Sequence, residues 1–331
     1  MTTHSVPALT GLIPIATIPF DEAQRLDLDS LARELEHLKG ANVDGIMVPG
    51  FASEFYKLDD SEARAVSSIV VDACREDESV TSIVSVAAHS TRVALDRTRW
   101  AIDYGANAIN LLLPHYMSPS PNSLKEHMRA VLREAAPAPV VVQYAPQLTG
   151  ATVSLDDIVA MQDEYENLRA IKVESTPPGP DVERILTKQP SLKVLVGYAG
   201  MHMIDAMERG AVGVQPSASF VEVYRSILDH WNRGDRESAL ELHRKLLPYV
   251  SYWMQNVELI IAIDKRIAYL RGWFTTEGIR TPARDLDRHE LGMVDRFLEE
   301  FAEHLGAPSD REFAKVRQVS IPEAPPSATG E

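Results

Sequence analysis

The sequence predicts an α/β protein, a (β/α)8 TIM barrel that carries a C-terminal helical appendage. Eight short apolar segments recur at a spacing of roughly 25 to 35 residues, and each is followed by a segment with helical periodicity. Strand–helix alternation indicates a parallel sheet, and eight such units over ~220 residues favour a closed barrel. A doubly wound open sheet is the alternative. It is disfavoured because no Gly-x-Gly-x-x-Gly turn follows any of the strands.

The predicted elements follow directly from the patterning. The strands are the apolar runs at 11–20, 45–49, 80–86, 108–113, 140–144, 168–175, 192–197 and 212–216. The first helix has leucines at 28, 31, 35 and 38, which is the spacing of one buried face. The other helical patterns lie at 61–73, 90–104, 123–135, 155–162, 181–186, 203–209 and 221–232.

Three further helical patterns follow the eighth unit, at 236–254, 259–272 and 287–304. We therefore divide the chain into a barrel at 1–235, a helical region at 236–306 and a tail at 307–331. The end of this tail is rich in Pro, Ser and Glu, a composition that predicts disorder.

Composition narrows the function class. The 331 residues include 33 Lys and Arg against 48 Asp and Glu, a net charge of −15 that argues against a nucleic-acid partner. The single cysteine, Cys74, lies in a helical pattern and is predicted to be a small core residue. No apolar run reaches the ~18 residues that cross a bilayer, and no basic-then-apolar leader begins the chain. We expect a cytoplasmic protein with no membrane partner.

Barrel enzymes carry their chemistry at the C-terminal ends of the strands, and the sixth strand ends with a lysine. Strand alternation places Ala170, Lys172 and Glu174 on one face. An amine in an apolar pocket can lose its proton and attack a carbonyl to form a Schiff base. A solvated lysine at a strand end is the more common case when this stretch is taken alone.

The other strand ends help to choose the chemistry. The available metal ligands are few, without a His-x-His pair, so a metal-dependent barrel enzyme is a minor alternative. No nucleophile-elbow sequence supports a hydroxyl nucleophile. What remains is one lysine among tyrosines and amides, the set of a carbonyl-activating enzyme. The candidates at the strand ends are Thr17, Pro19, the segment 50–54, His89, His115, Tyr116, Gln143, Tyr144, Lys172, Glu174, Gly197, Tyr198 and Gln215.

Several segments match one family in register, over roughly 11–301. The chain resembles the dihydrodipicolinate synthase / N-acetylneuraminate lyase family of pyruvate-type class I aldolases. Ile-Lys at 171–172 matches the family's Schiff-base lysine, and Gly-Phe-Ala-Ser-Glu at 50–54 lies at its Gly-Thr-Thr-Gly-Glu motif. The other landmarks are Ala-Thr-Ile-Pro-Phe at 16–20, Pro-His-Tyr at 114–116, Pro-Gln-Leu-Thr-Gly at 146–150, Gly197, Gly-Val-Gln at 213–215, Lys265, Gly272 and Arg-Thr-Pro at 280–282.

The resemblance implies a cofactor-independent lyase, an aldolase or hydro-lyase. Lys172 would condense with an α-keto acid such as pyruvate or a keto-sugar acid. Tyr116 matches a tyrosine that relays protons across a subunit interface in this family, while simple packing is its alternative role. His115 would be a structural neighbour. A homodimer or homotetramer is implied as well.

The departures from the family are informative. The strand-five tyrosine that shuttles protons is replaced by Gln143 in an ungapped count, and Tyr144 should then face the helices. Gln143 can donate a hydrogen bond but cannot titrate. Phe51 and Ala52 replace the two threonines, although backbone N–H groups of that loop and the Ser53 hydroxyl could still bind substrate.

One further departure concerns the substrate. The synthase branch has an arginine where Leu148 stands, so dihydrodipicolinate synthase activity is not expected. With Phe51, Ala52 and Leu148 at the mouth, the second substrate should be less polar than an amino-dicarboxylate or a sialic acid. Gly197 and Gln215 complete the predicted substrate-binding set.

Glu174 is an unusual addition, two residues beyond Lys172. It could be a general base in place of the missing tyrosine, an ion partner of the lysine, or a loop carboxylate that faces water. The competing function is a non-catalytic barrel that binds a keto acid or sugar acid after losing the family's proton relay.

Overall fold

Eight parallel strands form the centre of the protein. The computed structural model describes residues 9–305, except 115, 118 and 151–152; the predicted tail at 307–331 lies outside this part. From β2 to β8 each strand pairs with its neighbours in sequence, and β1 pairs with β8. The strands are β1 (Gly11–Leu12), β2 (Gly45–Val48), β3 (Thr81–Ala87), β4 (Ala108–Leu112), β5 (Val140–Tyr144), β6 (Leu168–Val173), β7 (Lys193–Val196) and β8 (Gly213–Val214).

The barrel closes at its first strand. Ile15, beyond the end of β1, forms parallel bridges to both Met47 and Ser217 and so joins the two sides of the sheet. The predicted (β/α)8 barrel is confirmed. The expected first strand at 11–20 is shorter than predicted, because Pro14 has no N–H to donate to the ladder.

Helices separate the strands and cover the barrel. The α2 helix begins with a capping box, in which the Asp59 and Glu62 side chains each accept from the other's backbone N–H. Gly105, at φ +107°, ends α3 in a left-handed conformation. The helices are α1 (Leu28–Gly40), α2 (Asp60–Arg75), α3 (Thr91–Tyr104), α4 (Pro121–Ala135), α5 (Pro146–Thr149), α6 (Leu155–Ala160), α7 (Gly179–Lys188), α8 (Met203–Glu208) and α9 (Val221–Asn232).

Strand side chains divide between two cores by alternation. Val141 and Ala170 lie in the barrel interior, whereas their neighbours Val142 and Ile171 pack against the helices. Cys74 is buried in the helix-side core, and burial raises the pKa of its thiol to about 12, as expected of a structural cysteine.

The C-terminal region is helical: α10 (Arg236–Trp253), α11 (Val257–Leu270), α12 (Arg288–Glu300) and α13 (Ala302–Leu305). An aromatic cluster joins it to the barrel. The Phe297 ring lies 5.2 Å from Phe220, beside α9, and 5.1 Å from Trp253 of α10. No helix in the described part of the chain combines the length and hydropathy needed to cross a bilayer.

A buried polar cluster fixes α1 and α11 to the closing seam of the barrel. Thr17 donates its N–H to Glu34 Oε2 (3.0 Å) and its hydroxyl to Asp264 Oδ2 (2.6 Å). The N–H of Ser219 donates to the other oxygen of Asp264. Burial, reinforced by the neighbouring Asp264 carboxylate, raises the pKa of Glu34 well above its ordinary value of 4.5.

This pKa gives stability a defined pH dependence. Above pH 4.5 the Glu34 carboxyl stays protonated in the folded state but loses its proton in the unfolded chain. The free energy of unfolding therefore decreases as the pH rises from 4.5 towards the raised pKa of Glu34. Glu34→Gln removes the titration. The melting temperature of this variant relative to wild type should therefore increase from about pH 5 to about pH 8.

Glu36→Gln is the matched control, because Glu36 lies on the same helix with its side chain 71% exposed. Its melting temperature should differ from wild type by an amount that does not depend on pH. An equally pH-independent difference for Glu34→Gln would contradict the prediction.

Candidate active site

Lys172 lies inside the barrel. On β6 its side chain points to the same side as Ala170, which belongs to the interior core, and it is only 1% exposed. Its Nζ lies 3.3 Å from Glu174 Oε1. The alternative of a solvated strand-end lysine is therefore wrong. This amine is buried at the C-terminal end of the barrel, where barrel enzymes place their chemistry.

Glu174 faces inward as well, although β6 ends one residue earlier. Its N–H still donates to the Tyr144 carbonyl oxygen (2.8 Å), which continues the strand pairing and keeps the side chain buried. Its Oε2 accepts from Gln143 Nε2 at 2.6 Å. Glu174 is therefore not a loop carboxylate that faces water, and it forms an ion pair with Lys172.

Gln143 links Glu174 to two residues that the sequence did not single out. Its Oε1 accepts from Asn110 Nδ2 (3.1 Å), and the same amide nitrogen donates to Ser85 Oγ (2.9 Å). Ser85 of β3, Asn110 of β4 and Gln143 of β5 thus form a continuous hydrogen-bonded row that ends at Glu174 and its ion pair with Lys172. For Asn110 the available signal was its place as the one polar residue of the apolar strand β4.

Tyr144, next to Gln143, packs against the helix-side core, which is the orientation that the ungapped count predicts. Burial raises the pKa of its phenol. Gln143 therefore occupies the inward-facing position on β5, and its amide group cannot titrate.

Gly197 explains how Glu174 fits. A Cβ on this glycine would lie 2.0 Å from Glu174 Oε1, far inside contact distance. The glycine thus leaves space for the carboxylate beside Lys172, and its expected contact with substrate stays a prediction.

A cavity of about 230 Å³ opens at the barrel mouth beside this pair. Six candidate site residues that the sequence singled out line it: Phe51, Ala52, Leu148, Glu174, Tyr198 and Gln215. The remaining lining residues come from strand-end loops and from the α10–α11 junction, whose placement depends on tertiary packing. They are Ile15, Gln147, Ala199, Pro216, Ser217, Met254, Gln255, Asn256, Val257 and Ile260.

Ser53 does not contribute a hydroxyl to this cavity, and that expectation is wrong. The side chain is fully buried, and its Oγ donates to the Ala16 carbonyl oxygen (2.6 Å) and accepts from the Gly50 N–H (3.0 Å). The hydroxyl instead fixes the short 3-10 turn that carries Phe51 and Ala52 to the cavity wall.

Tyr116 lies on the surface, 71% exposed, and is not among the residues that line the cavity of its own chain. Its backbone is left-handed (φ +68°), its N–H donates to the Thr149 carbonyl, and its ring stacks on His89. A role across a subunit interface stays a prediction. His115 lies outside the described residues.

A second lysine, Lys265, is also buried. It pairs with Glu54, and its Nζ donates to the Gly278 carbonyl oxygen at 2.9 Å. Burial lowers the pKa of Lys265 to about 8. Neither Lys265 nor its partner Glu54 lines the cavity, whereas Glu174, the partner of Lys172, does. The role of Lys265 is therefore structural. Within residues 9–305, apart from the gaps, no three His, Cys, Asp or Glu side chains are grouped to hold a metal ion.

Comparison with known proteins agrees with this geometry. The model of the dihydrodipicolinate synthetase family matches residues 8–301. The chain belongs to this family. A 4-hydroxy-tetrahydrodipicolinate synthase of Methanothrix thermoacetophila is 33% identical over 72% of this chain and 80% of its own. A probable 2-dehydro-3-deoxy-D-pentonate aldolase of Escherichia coli, YjhH, is 27% identical over 76% of this chain and 88% of its own.

Solved structures of the dihydrodipicolinate synthetase family show the same fold. YagE of Escherichia coli, crystallised in complex with pyruvate, superposes with a TM-score of 0.80 at 22% identity, over 88% of this chain and 98% of its own. The dihydrodipicolinate synthase of Aquifex aeolicus also gives 0.80, at 23% identity, over 90% of this chain and all of its own.

The Gly197 contact makes a prediction about packing. Gly197→Ala would force the Glu174 carboxylate away from Lys172, and such overpacking typically costs about 1–3 kcal/mol. Chemical denaturation should show a loss of this size in the free energy of unfolding.

Gly40→Ala is the control. Gly40 ends α1, and no atom lies within 4 Å of the position that an added Cβ would occupy. That variant should be neutral or slightly more stable than wild type. Equal effects of the two substitutions would show that Gly197 is not required to make room for Glu174.

Proposed function

We propose that this protein is a class I lyase, an aldolase or hydro-lyase that acts on an α-keto acid such as pyruvate or a keto-sugar acid. Lys172 is the Schiff-base residue. The observation that carries the proposal is the buried Lys172 amine, 3.3 Å from a carboxylate that lines the cavity. No cofactor is needed, because the iminium itself withdraws electrons from the neighbouring carbon.

The proposed chemistry begins with proton transfer. Glu174 receives a proton from the Lys172 ammonium, and the free amine attacks the keto carbon. The hydroxyl of the carbinolamine takes this proton back from Glu174 and leaves as water, which gives an iminium and restores the carboxylate. The Glu174 carboxylate can then remove a proton from the adjacent carbon, which gives an enamine. The enamine carbon bonds to the carbonyl carbon of an aldehyde, whose oxygen takes up the proton held by Glu174, and water finally hydrolyses the iminium and releases the lysine.

The enamine is also the intermediate of the reverse, cleavage reaction and of dehydration. Cleavage breaks the new carbon–carbon bond and returns the electron pair to the enamine. Elimination expels a hydroxyl group, which leaves as water after protonation. In each case Gln143 is a positioning residue. Its Nε2 donates a hydrogen bond to Glu174 Oε2, and its amide group does not titrate.

We further propose that the chain is not a genuine 4-hydroxy-tetrahydrodipicolinate synthase, even though several relatives have that name. Leu148, in the cavity wall, occupies the position of the synthase arginine. A carboxylated aldehyde would therefore lack its cationic partner there.

We also propose a homodimer or homotetramer that works in the cytoplasm. Support comes from an exposed apolar surface at Tyr116 and Met117, whose exposed fractions are 71% and 84%. Such surfaces often mark contacts between copies of a chain.

Borohydride trapping tests the central step. Reduction in the presence of pyruvate, followed by peptide mass mapping, should place one reduced pyruvate adduct on the peptide that contains Lys172. The Lys265 peptide is an internal control: that lysine is equally buried, but its partner Glu54 does not line the cavity, so it should stay unmodified. Lys172→Met should abolish the adduct.

The result of borohydride trapping distinguishes the proposed lyase from a non-catalytic binding protein. The replacement of a titrating tyrosine by Gln143 also suits a barrel that only binds a keto acid. That alternative predicts no adduct with any keto acid in a panel, and saturable ligand binding that survives Lys172→Ala.

Deuterium exchange tests the base. If Glu174 removes the proton, Glu174→Gln should slow exchange of the pyruvate methyl protons in D₂O by about 10²- to 10⁴-fold, as measured by NMR. Glu76→Gln is a control on the surface, with its side chain 76% exposed. Exchange at the wild-type rate in Glu174→Gln would assign the base to another group.

A further inference from the structure

Formation of a Schiff base at Lys172 must move protons from nitrogen to oxygen. The ammonium carries three protons and the iminium nitrogen keeps one, so the others leave with the keto oxygen as water. Glu174 is placed to collect them at the nitrogen, because its Oε1 lies 3.3 Å from Lys172 Nζ while Gln143 holds its Oε2. A hydroxyl group between this carboxylate and the keto oxygen would complete the route.

The cavity wall offers few groups that can relay a proton. Among the described residues that line it, only Glu174 and Tyr198 have side chains that titrate, and Ser217 adds an aliphatic hydroxyl group. Tyr116 is not a lining residue of its own chain. A phenol is a stronger acid than an alcohol, and proton transfer in a transition state depends on acid strength. Tyr198 is therefore the better candidate.

Tyr198 lies beside the carboxylate. It follows Gly197, against which the Glu174 carboxylate packs. Burial raises the pKa of the half-buried Tyr198 phenol, a hydrogen bond with the Thr176 side chain lowers it, and the nearby Glu174 charge raises it. The balance of these effects is a raised pKa, so the phenol keeps its proton at neutral pH. The hydroxyl group can then donate to a substrate oxygen and accept from Glu174.

The backbone that presents this phenol is left-handed at three successive residues. The φ angles are +52° at Tyr198, +48° at Ala199 and +66° at Gly200. Such angles are unfavourable for residues other than glycine, and they persist where surrounding contacts hold them, often at active sites. Here the Tyr224 hydroxyl donates to the Ala199 carbonyl oxygen (2.6 Å), and His243 Nε2 donates to that of Gly200 (3.1 Å). Both donors are buried, so the fold holds the turn at the cavity.

From these observations we infer that the Tyr198 hydroxyl relays protons from Glu174 to the keto oxygen during Schiff-base formation. This relay rests on the proposed Lys172 lyase function and adds to it a further catalytic residue. Sequence comparison places the missing tyrosine of the family on the fifth strand, at Gln143, whereas Tyr198 follows the seventh.

The protons balance over two passes of the relay. In the first pass Glu174 takes a proton from the ammonium, and the free amine attacks the keto carbon. The new alkoxide takes the Tyr198 proton while Tyr198 regains one from Glu174. In the second pass Glu174 takes a proton from the adduct nitrogen, and the relay delivers it to the hydroxyl group. The C–O bond then breaks, water leaves, and the nitrogen lone pair forms the iminium. Both residues end in their starting protonation states.

Quenched-flow trapping with pyruvate tests this relay. Enzyme and pyruvate are mixed, borohydride is added after increasing delays, and intact mass gives the fraction of chains with a reduced adduct. Tyr198→Phe keeps the ring but removes the hydroxyl, so the adduct should form about 10²- to 10⁴-fold more slowly than in wild type. A relay accelerates formation and hydrolysis of the iminium alike. The final fraction of adduct should therefore stay within about two-fold of wild type.

Three matched variants accompany Tyr198→Phe. Tyr144→Phe makes the same change on a phenol that packs against the helix-side core, and it should form the adduct at the wild-type rate. Ser217→Ala and Tyr116→Phe remove the other two hydroxyl groups considered above and should have the same result. Slow formation in either of these, with a wild-type rate in Tyr198→Phe, would assign the relay to that hydroxyl group instead.

Failure of the relay can be told apart from failure of the proposed function. An adduct at Lys172 that forms at the wild-type rate in Tyr198→Phe overturns the relay alone. A final adduct fraction that falls together with the rate does so as well, because it indicates that the phenol only shapes the site. Absence of any keto-acid adduct at Lys172 in wild type overturns both.

Discussion

The buried ion pair between Lys172 and Glu174 is the interaction on which the site depends. Removing two charges from water costs several kcal/mol for each ion, and their attraction offsets this only when the remaining hydrogen bonds are satisfied. Gln143 supplies one of these bonds to Glu174, and Gly197 leaves the space that the carboxylate occupies. The strand pairing at Tyr144 directs Glu174 inward. An amine and a base are thus held together before any substrate arrives.

Burial by itself does not identify the reactive lysine. Lys265 is as deeply buried as Lys172, and burial lowers its pKa to about 8. However, its ammonium pairs with Glu54 and donates to the Gly278 carbonyl, among side chains that join the 50–54 turn to α11. Lys172 differs because its carboxylate partner lines an open cavity. Access to a substrate distinguishes the structural lysine from the proposed nucleophile.

Patterns of period two and 3.6 were sufficient to predict the barrel and to place Lys172 and Glu174 on one face of their strand. The inward direction of Gln143 followed from the ungapped resemblance to the family. Failures occurred where long-range contacts decide the outcome. Ser53 was expected at the substrate, but its hydroxyl bonds to Ala16, 37 residues away in sequence. The wall at Met254 and Val257 depends on how the C-terminal helices dock on the barrel. The Gln215 amide has no hydrogen-bond partner among the described residues, and this could not be read from the sequence, because it is a property of the cavity and not of the strand.

The most direct test of the proposed site is a crystal structure of the borohydride-reduced pyruvate adduct. Electron density should continue from Lys172 Nζ into the keto acid, and a Glu174 oxygen should lie about 3–3.5 Å from the pyruvate methyl carbon. The remaining cavity volume should be bounded by Leu148, Gln215 and Met254. An adduct on another residue, or a Glu174 carboxylate turned away from the bound keto acid, would contradict the assignment of this pair as the reacting centre.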